Sequence, residues 1–435
     1  MIQHSCALPR ENHGVVPNLE ADLIRNPASL TVVAAATEFS SSSIFEFREG
    51  SFFTFPYKDE QTRTVCLKRV IFRSNSVFGR GTMVFRVECA CHHCLPNQCN
   101  WQGKKLIMKL IFLSKTSVSE WMFMDRCKEL AQGKHAWVLN HLPDIHWSFD
   151  IPFHDDSPQD NFKKEFKDGD EMRVMRGSIQ EELKPLSSLK TAKECAQVFC
   201  DIVQSMPLGH HWAWKSARIL HRDVSKGNFM VREKDGKKYG VLNDWDFAIW
   251  LDKERDGPTY PFRTGTRPYM AHEQHSFAWK GLHRYRHDLE SIFYVMLLFV
   301  CLYSQPNEKV LHLEDNDYEF GEWHWRDDRF LRDKKSTVVH TALFTPPVTP
   351  FLISFFMWLT ELQGRLRRGF FHLGDFTVEA AKQEASQPDK LPPFDLETLG
   401  GYFSHEQIAM ILHMFNNEQL TTHGLEWQKI LKPLS

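Results

Sequence analysis

The pattern of apolar residues changes along the chain from short strand-like runs to longer helical periods. Between residues 46 and 182, short runs rich in Val, Ile, Leu and Phe predict β-strands. One window among them, Val118 to Gln132, has the spacing of a helix. From residue 183 onward the period is helical, most clearly at Thr191 to Ser205 and at Asp288 to Tyr303. The predicted strands are Thr64 to Phe72, Thr82 to Val87 and Leu106 to Phe112.

The same pattern predicts three regions. Residues 1–45 carry Pro, Asn and Ser without a sustained period, which predicts a partly disordered N-terminal extension. Residues 46–182 predict a small β-rich N-lobe, and residues 183–435 predict a large α-helical C-lobe with a C-terminal extension. The expected fold class is therefore α+β, with two lobes.

Composition and charge narrow the class of protein. The 435 residues are 42% hydrophobic and 25% charged, enough to bury a core in one large or two modest domains. The formal net charge of −2 gives no reason to expect nucleic acid or an anionic membrane as partner. The longest apolar run, Ile292 to Tyr303, is too short to cross a bilayer, and the N-terminal residues lack the apolar stretch of a secretory signal. We therefore expect an intracellular protein, cytoplasmic or nuclear, with mostly reduced thiols.

The most informative motif is the run Leu220 to Asn228, L-H-R-D-V-S-K-G-N, which is followed by N-D-W-D. Phosphoryl transfer from ATP needs one carboxylate to orient a hydroxyl nucleophile, and a second carboxylate with an amide to hold Mg²⁺. Asp223, Asp244 and Asn228 are residues of the right type for those roles. The alternative is a solvated turn that happens to contain this motif.

The residues between the two motifs argue against that alternative. Two short apolar strands, around Phe229 and Val241, flank an Asp-Gly pair, which indicates a tight hairpin. A hairpin returns the chain on itself, so Asn228 and Asp244 would face the same small volume. An amide and a carboxylate oxygen there suit Mg²⁺.

A phosphate-covering loop is indicated by Phe78-Gly79-Arg80-Gly81-Thr82. Its glycines would let backbone N–H groups approach phosphate oxygens, and the third glycine of the usual motif would fall at about Val84. An ordinary hairpin turn explains the same residues nearly as well. The lysine-bearing strand that follows favours the nucleotide-binding interpretation.

Lys109 is a single charge inside an apolar predicted strand, and a buried lysine needs an anion. ATP phosphates would supply one anion, and a glutamate of the following helix a second. Glu120 and Glu129 compete for that role, and they lie on opposite sides of an ideal helix. We favour Glu120, which shares the inner side with Met124 and Cys127, although its place in Ser117 to Glu120 is also that of a capping box.

A cysteine-rich loop runs from Cys89 to Cys99 and includes Cys91, His92, His93 and Cys94. Thiols and imidazoles could bind Zn²⁺ there. The loop lacks a second, distant pair of ligands, so a plain connection between two strands is the alternative.

A further block, Arg263 to Glu273, contains G-T-x-x-Y-M-A-x-E and resembles the end of the activation segment of serine/threonine protein kinases. Together with Leu220 to Met230, Val241 to Ala248 and Tyr285 to Ser291, it resembles the fungal-type protein kinase domain family. The resemblance covers roughly residues 45 to 305.

The resemblance implies a role for each matching residue. Asp223 would be the catalytic base, Arg222 would couple it to the activation segment, and Asn228 and Asp244 would be Mg²⁺ ligands. Lys109, paired with Glu120, would hold the α- and β-phosphates. The nucleotide loop would be formed by Gly79, Arg80, Gly81 and Val84. Among the remaining matches, Thr266 would hydrogen-bond the catalytic loop, Asp288 would brace its backbone, and Glu273 would form an ion pair with an arginine.

The chain departs from the usual pattern at several positions, two of which lie in the motifs around Asp223 and Asp244. Asp246 replaces the glycine after the metal-binding aspartate, and Ser225 replaces the lysine that meets the γ-phosphate, with Lys226 one residue later. We therefore expect an ATP- and Mg²⁺-dependent protein kinase acting on serine or threonine of a protein substrate. The alternatives are a pseudokinase scaffold and a small-molecule kinase, of which the G-T-x-x-Y-M-A-x-E block disfavours the second.

Overall fold

The structure is a computed structural model, and the residues that it describes form helices and antiparallel sheets, an α+β protein. The chain divides into two compact units, Met1–Trp121 with Asp144–Glu182, and Met122–Pro143 with Leu183–Ser435. None of the described helices is long and apolar enough to cross a membrane. The described residues are 19–20, 49–58, 61–74, 80–90, 99–152, 173–204, 210–252, 264–277, 279, 281–310, 320–384 and 393–421.

The first unit contains an antiparallel sheet in which seven strands are described, in the spatial order β1-β2-β3-β4-β5-β7-β6. The three strands predicted from the sequence are β3, β4 and β5, with ends that differ by one or two residues. The strands are β1 (Leu19–Glu20), β2 (Phe52–Pro56), β3 (Thr62–Arg73), β4 (Met83–Cys89), β5 (Leu106–Ser114), β6 (Ile145–Pro152) and β7 (Arg173–Glu181).

Aromatic side chains fill the core of this unit. Alternate residues of β2, Phe53 and Phe55, point inward, and the Phe55 ring stacks on Phe149 with centroids 4.5 Å apart. The central strand β5 is buried along most of its length on both faces. Lys109 is therefore carried by a strand that has little access to water.

The second unit is mainly helical, and its sheets are small. Strand β10 lies between β8 and β11, and β9 pairs with β12. Its strands are β8 (Lys184–Pro185), β9 (Ile219–Leu220), β10 (Phe229–Lys234), β11 (Lys237–Leu242), β12 (Ile249–Trp250), β13 (Tyr303–Gln305), β14 (Glu308–Lys309), β15 (Met414–Phe415) and β16 (Glu418–Gln419).

Three of the helices were predicted from the apolar period: α1, α2 and α4. Every residue of α4 is buried, so this helix is the centre of the second unit's core. The described α-helices are α1 (Glu120–Leu130), α2 (Ala192–Gln204), α3 (His210–Lys215), α4 (Tyr285–Leu302), α5 (Asp328–His340), α6 (Phe356–Glu384) and α7 (His405–Leu412).

Candidate active site

The loop that carries Asp223 begins directly after β9, which pairs with β12. The Asp223 carboxylate is buried, and its Oδ1 accepts two hydrogen bonds from Thr266, from the backbone N–H and from the Oγ1 hydroxyl, each 2.8 Å long. Two donors on one oxygen fix the orientation of the carboxylate plane. Thr266, the residue after Gly265, therefore holds the side chain of the candidate base in place through direct hydrogen bonds.

Gly265 is required by this arrangement. Its φ is +125°, and a Cβ at this position would lie 2.9 Å from Cγ of Met270 and 3.3 Å from the carbonyl oxygen of Arg222. A side chain here would push the segment away from the loop that carries Asp223.

The backbone of the loop that carries Asp223 is held by α4. Arg222 has a φ of +70°, a conformation that L-residues rarely adopt, and its N–H donates to Oδ2 of Asp288 at 3.2 Å. Asp288 is fully buried in the first turn of α4, and His283 Nε2 lies 2.7 Å from its other oxygen. The buried carboxylate thus stabilises a strained turn next to Asp223.

His221 joins the two acidic motifs. Its Nδ1 accepts from the Asp223 N–H at 3.2 Å, so its Nε2 is the atom that donates to the Asn243 carbonyl oxygen at 3.1 Å. The ring also meets the Trp245 indole edge-on, with centroids 4.6 Å apart. The imidazole acts here as a buried neutral bridge.

Asn228 and Asp244 lie at the open end of the predicted hairpin. Strands β10 and β11 pair in register from Phe229 with Leu242, and the Asn243 N–H donates to the Asn228 carbonyl oxygen at 2.8 Å. The Asn228 Nδ2 donates to the Asp223 carbonyl oxygen at 2.8 Å, which fixes the orientation of its amide. Asp244 follows with a φ of +61°.

The donor chemistry at this end of the hairpin suits a hard cation. The candidate ligands offer one carboxylate and one amide oxygen, the groups that Mg²⁺ prefers. Among the residues that the structure describes, no cluster of three or more His, Cys, Asp or Glu side chains could hold a metal ion. Phosphate oxygens and water would complete an Mg²⁺ shell, as is usual for this ion.

In the first unit, Lys109 pairs with Glu120. The Nζ of Lys109 lies 3.4 Å from Oε2 of Glu120, and both side chains are buried. The Gln180 amide donates to the same carboxylate oxygen at 3.3 Å. Glu129 instead pairs with Arg126 at 3.1 Å on the protein surface, so geometry decides between the two candidate glutamates.

The end of the block from Arg263 to Glu273 is closed by a buried ion pair. Nη2 of Arg286 lies 2.8 Å from each carboxylate oxygen of Glu273, and His287 Nε2 lies 3.2 Å from one of them. Burial opposes ionisation of Glu273, but the His287 hydrogen bond and the Arg286 charge hold its pKa well below the usual value. Burial also lowers the pKa of His287 to about 4. The segment is thus fastened to the first turn of α4.

Part of the chain is similar to a known protein family. Residues 156–301 match the fungal protein kinase family. The match includes the loop of Asp223, the hairpin, the Glu273 ion pair and most of α4, but it leaves out Lys109 and Glu120. No curated protein matches the chain.

The glycine loop of the fungal protein kinase resemblance is only partly described. Gly79 lies outside the described residues, and the backbone carbonyl oxygen of Arg80 accepts a hydrogen bond from the Phe112 N–H at 2.8 Å. Gly81 has a φ of +53°, and a Cβ there would lie 2.8 Å from the Phe112 ring. Val84 pairs across the sheet with Lys109. The turn and the packing on Phe112 account for Gly81, so its role toward a nucleotide stays a prediction.

Lys226, the displaced lysine, lies in a single 3₁₀ turn of residues Lys226–Asn228. Its Nζ is 4.6 Å from the centroid of the Tyr303 ring, a cation–π contact. Any role of this lysine toward the γ-phosphate stays a prediction.

The cysteine loop is described only at its two ends. Cys89 ends β4 and Cys99 lies before β5, and their Sγ atoms are 3.3 Å apart. Cys91, His92, His93 and Cys94 lie outside the described residues, so zinc binding stays a prediction. Strands β4 and β5 are antiparallel neighbours, so the loop connects adjacent strands of the sheet.

Sequence reasoning missed two buried charged residues beneath the activation-segment block, Glu290 and Lys335. Glu290 Oε1 accepts from the His272 N–H at 2.8 Å and from the Tyr294 hydroxyl at 2.7 Å. Lys335 is fully buried in α5. The burial of Lys335 could have been predicted from the sequence, because this residue lies in the apolar stripe formed by Leu331, Val338 and Val339.

Proposed function

We propose that the chain is an ATP- and Mg²⁺-dependent protein kinase with a kinase-like fold, and that it phosphorylates serine or threonine hydroxyls of a protein. The main support is the buried Asp223 carboxylate, held by both donors of Thr266 and joined through Asn228 and His221 to the loop of Asp244. The family match supports the coarser statement that the region is of the protein kinase type.

In this proposal Asp223 orients the acceptor hydroxyl and takes its proton. The hydroxyl oxygen forms a bond to the γ-phosphorus while the bond from that phosphorus to the β,γ-bridging oxygen breaks, which releases ADP. The Thr266 donors keep the carboxylate in one orientation before the substrate arrives. General-base assistance of this kind contributes about 10²- to 10⁴-fold to a rate.

The other residues bind and orient the nucleotide. Asn228 and Asp244 would hold Mg²⁺, which when bound neutralises charge on the transferred phosphoryl group. Lys109 would bind the α- and β-phosphates, with its ammonium positioned by Glu120. Thr266 and the block around it favour a serine or threonine acceptor over a small molecule.

One alternative has an observation in its favour. This alternative is a nucleotide-binding scaffold without turnover. Packing against Phe112 is enough to explain Gly81, and the Lys226 ammonium lies over the Tyr303 ring, so neither residue has to act on a phosphate. Such a scaffold would bind Mg-ATP through Lys109 without transferring phosphate.

A transfer assay separates the two. Purified chain, Mg²⁺ and γ-labelled ATP are incubated with a degenerate serine/threonine peptide library, and labelled peptide is counted. We expect Asp223→Ala and Asp244→Ala each to reduce transfer by at least about 100-fold, because each removes a group that acts on the reacting phosphate. Asp333→Ala, which removes an exposed aspartate of α5, is the matched control and should transfer normally.

Two results would contradict the proposal. Transfer that persists in both Asp223→Ala and Asp244→Ala would come from another enzyme in the preparation. Nucleotide binding without transfer in the unaltered chain would favour the scaffold.

A further inference from the structure

A buried ammonium lies beneath the segment that supports Asp223. Lys335 of α5 is completely buried, and its Nζ donates to the carbonyl oxygen of Met270, to that of Arg267 at 3.3 Å, and to Nε2 of His275 at 3.2 Å. An ammonium group has three N–H donors, and each has an acceptor here. A lysine at this depth needs that full set of partners.

His275 is held in the tautomer that Lys335 requires. Its Nδ1 lies 2.9 Å from Oδ1 of Asp328, which can only accept, so Nδ1 carries the proton and Nε2 is free to accept from Lys335. Burial and the Lys335 charge lower the pKa of His275 to about 3, which keeps the ring neutral. Asp328, His275 and Lys335 therefore form a directed chain of hydrogen bonds.

The contacts of Nζ suit the charged form of Lys335, since all three ammonium N–H groups find an acceptor. Burial holds the pKa of Lys335 well below its usual value, and the carboxylates of Glu290 and Asp328 oppose that shift only in part. The Tyr294 ring, with its centroid 4.4 Å from Nζ, and the Trp323 ring at 5.3 Å add cation–π attraction. A neutral amine would have only two N–H groups and would turn a lone pair toward an acceptor.

The backbone that Lys335 holds is the turn next to Thr266. Residues Arg267–Tyr269 form a single 3₁₀ turn, and the Tyr269 N–H donates to the Thr266 carbonyl oxygen at 2.9 Å. Lys335 binds the carbonyl of the first residue of this turn and that of Met270, which follows its last residue. Thr266 precedes the turn and donates twice to Asp223.

We propose that Lys335 is a positioning residue for phosphoryl transfer: its ammonium fixes the turn Arg267–Met270, and through that turn it fixes the Thr266 donors that orient Asp223. Lys335 touches neither substrate nor nucleotide in this role. The role rests on the proposed kinase function, but the mechanical link from Lys335 to Thr266 can be tested without any activity.

The decisive variant is Lys335→Met, which keeps the unbranched side chain as far as Cε and removes the ammonium group with its donors. We expect kcat to fall about 10- to 100-fold, since a small displacement of a catalytic group has effects of that size, while KM for ATP changes less than about twofold. Lys334→Met is the matched control, because Lys334 is exposed on the same helix, and it should leave both constants unchanged.

Hydrogen exchange gives a readout that does not depend on turnover. Peptides covering residues 264–270 should exchange faster in Lys335→Met than in the unaltered chain and in Lys334→Met. Unchanged exchange in a folded Lys335→Met protein would overturn the proposal. If the unaltered chain transfers no phosphate, the proposed function fails, and the exchange result still decides the role of Lys335.

A double-mutant cycle tests the path through Thr266. Thr266→Ala removes the hydroxyl donor to Asp223 and leaves the backbone N–H. On that background Lys335→Met should cost less kcat than it does in the unaltered chain, because one of the two donors that it positions is already gone. Additive losses would contradict the path. If Lys335→Met does not fold, Lys335→Gln, which keeps two N–H donors without the charge, takes its place in all three experiments with the same expected directions.

Discussion

At the scale of single residues, the account depends on which atoms each charged side chain reaches. Lys109 has two candidate partners in the sequence, and the structure places Glu120 at 3.4 Å from it while Glu129 pairs with Arg126. Breaking a buried pair leaves one charge uncompensated, whereas breaking an exposed pair costs little. The two glutamates therefore make a matched pair of tests.

We expect Glu120→Gln to weaken binding of Mg-ATP by about tenfold, because the amide no longer holds the Lys109 ammonium in place. Glu129→Gln removes the same charge from the same helix and should bind normally. Titration with a fluorescent ATP analogue measures both. Equal affinities for Glu120→Gln and the unaltered chain would remove Lys109 from the proposed nucleotide site.

His272 stands where protein kinases usually have a proline, and this replacement changes the hydrogen bonds that Glu290 receives. Proline is usual at this position of the activation-segment motif, but it has no N–H. His272 donates its N–H to Glu290 at 2.8 Å, and its ring Nδ1 lies 3.1 Å from the same oxygen. Glu290 therefore has partners in this chain that a proline could not give it.

At the scale of elements, α4 combines the core of the second unit with the charges that hold its loops. Its first two turns carry Arg286, His287, Asp288 and Glu290, all buried, and each contacts a loop rather than solvent. The remainder of the helix is apolar. The loops are thus fixed to the most deeply buried helix that the structure describes.

This arrangement predicts a pH dependence of stability. Burial opposes ionisation of Glu290, but the charge of His272 and its hydrogen bonds lower the pKa of Glu290 to about 2. Because the folded-state pKa lies below that of an exposed glutamate, about 4.3, the stabilisation is present above that value and is lost as the pH falls toward about 2.

We therefore expect Glu290→Gln to lower the free energy of unfolding at pH 7 by about 1–3 kcal/mol, and the difference to shrink as the pH falls from about 4.5 to about 2. Urea unfolding at several pH values measures it. Glu361→Gln, at an exposed site in α6, should show no such trend. A difference independent of pH would show that the Glu290 charge is not the stabilising feature.

The elements with a clear apolar period could be predicted from the sequence, and the contacts to backbone atoms could not. Strands β3, β4 and β5 and helices α1, α2 and α4 follow their patterns, and the Asp-Gly pair gave the hairpin. Lys335 was missed because two of its three acceptors are backbone carbonyls, which side-chain patterns do not show. Only its position in an apolar stripe pointed to it.

At the scale of the whole molecule, the candidate residues are divided between the two units of the chain. The first supplies Lys109 and Glu120, and the second supplies Asp223, Asn228 and Asp244. The family match covers only the second set. Motif spacing could single out Asp223, Asn228 and Asp244 as candidates because each motif is local in sequence. The choice of Glu120 over Glu129 as the partner of Lys109 rested instead on which side of a helix faces inward, and the structure places Glu120 beside Lys109.

The central claim is that Asp223 acts on the acceptor hydroxyl and not on nucleotide binding. The most direct measurement is the single-turnover rate of γ-phosphoryl transfer in Asp223→Asn, with the dissociation constant for Mg-ATP determined on the same sample. We predict a rate at least about 100-fold below that of the unaltered chain and an unchanged dissociation constant. An unchanged rate in Asp223→Asn would contradict the account.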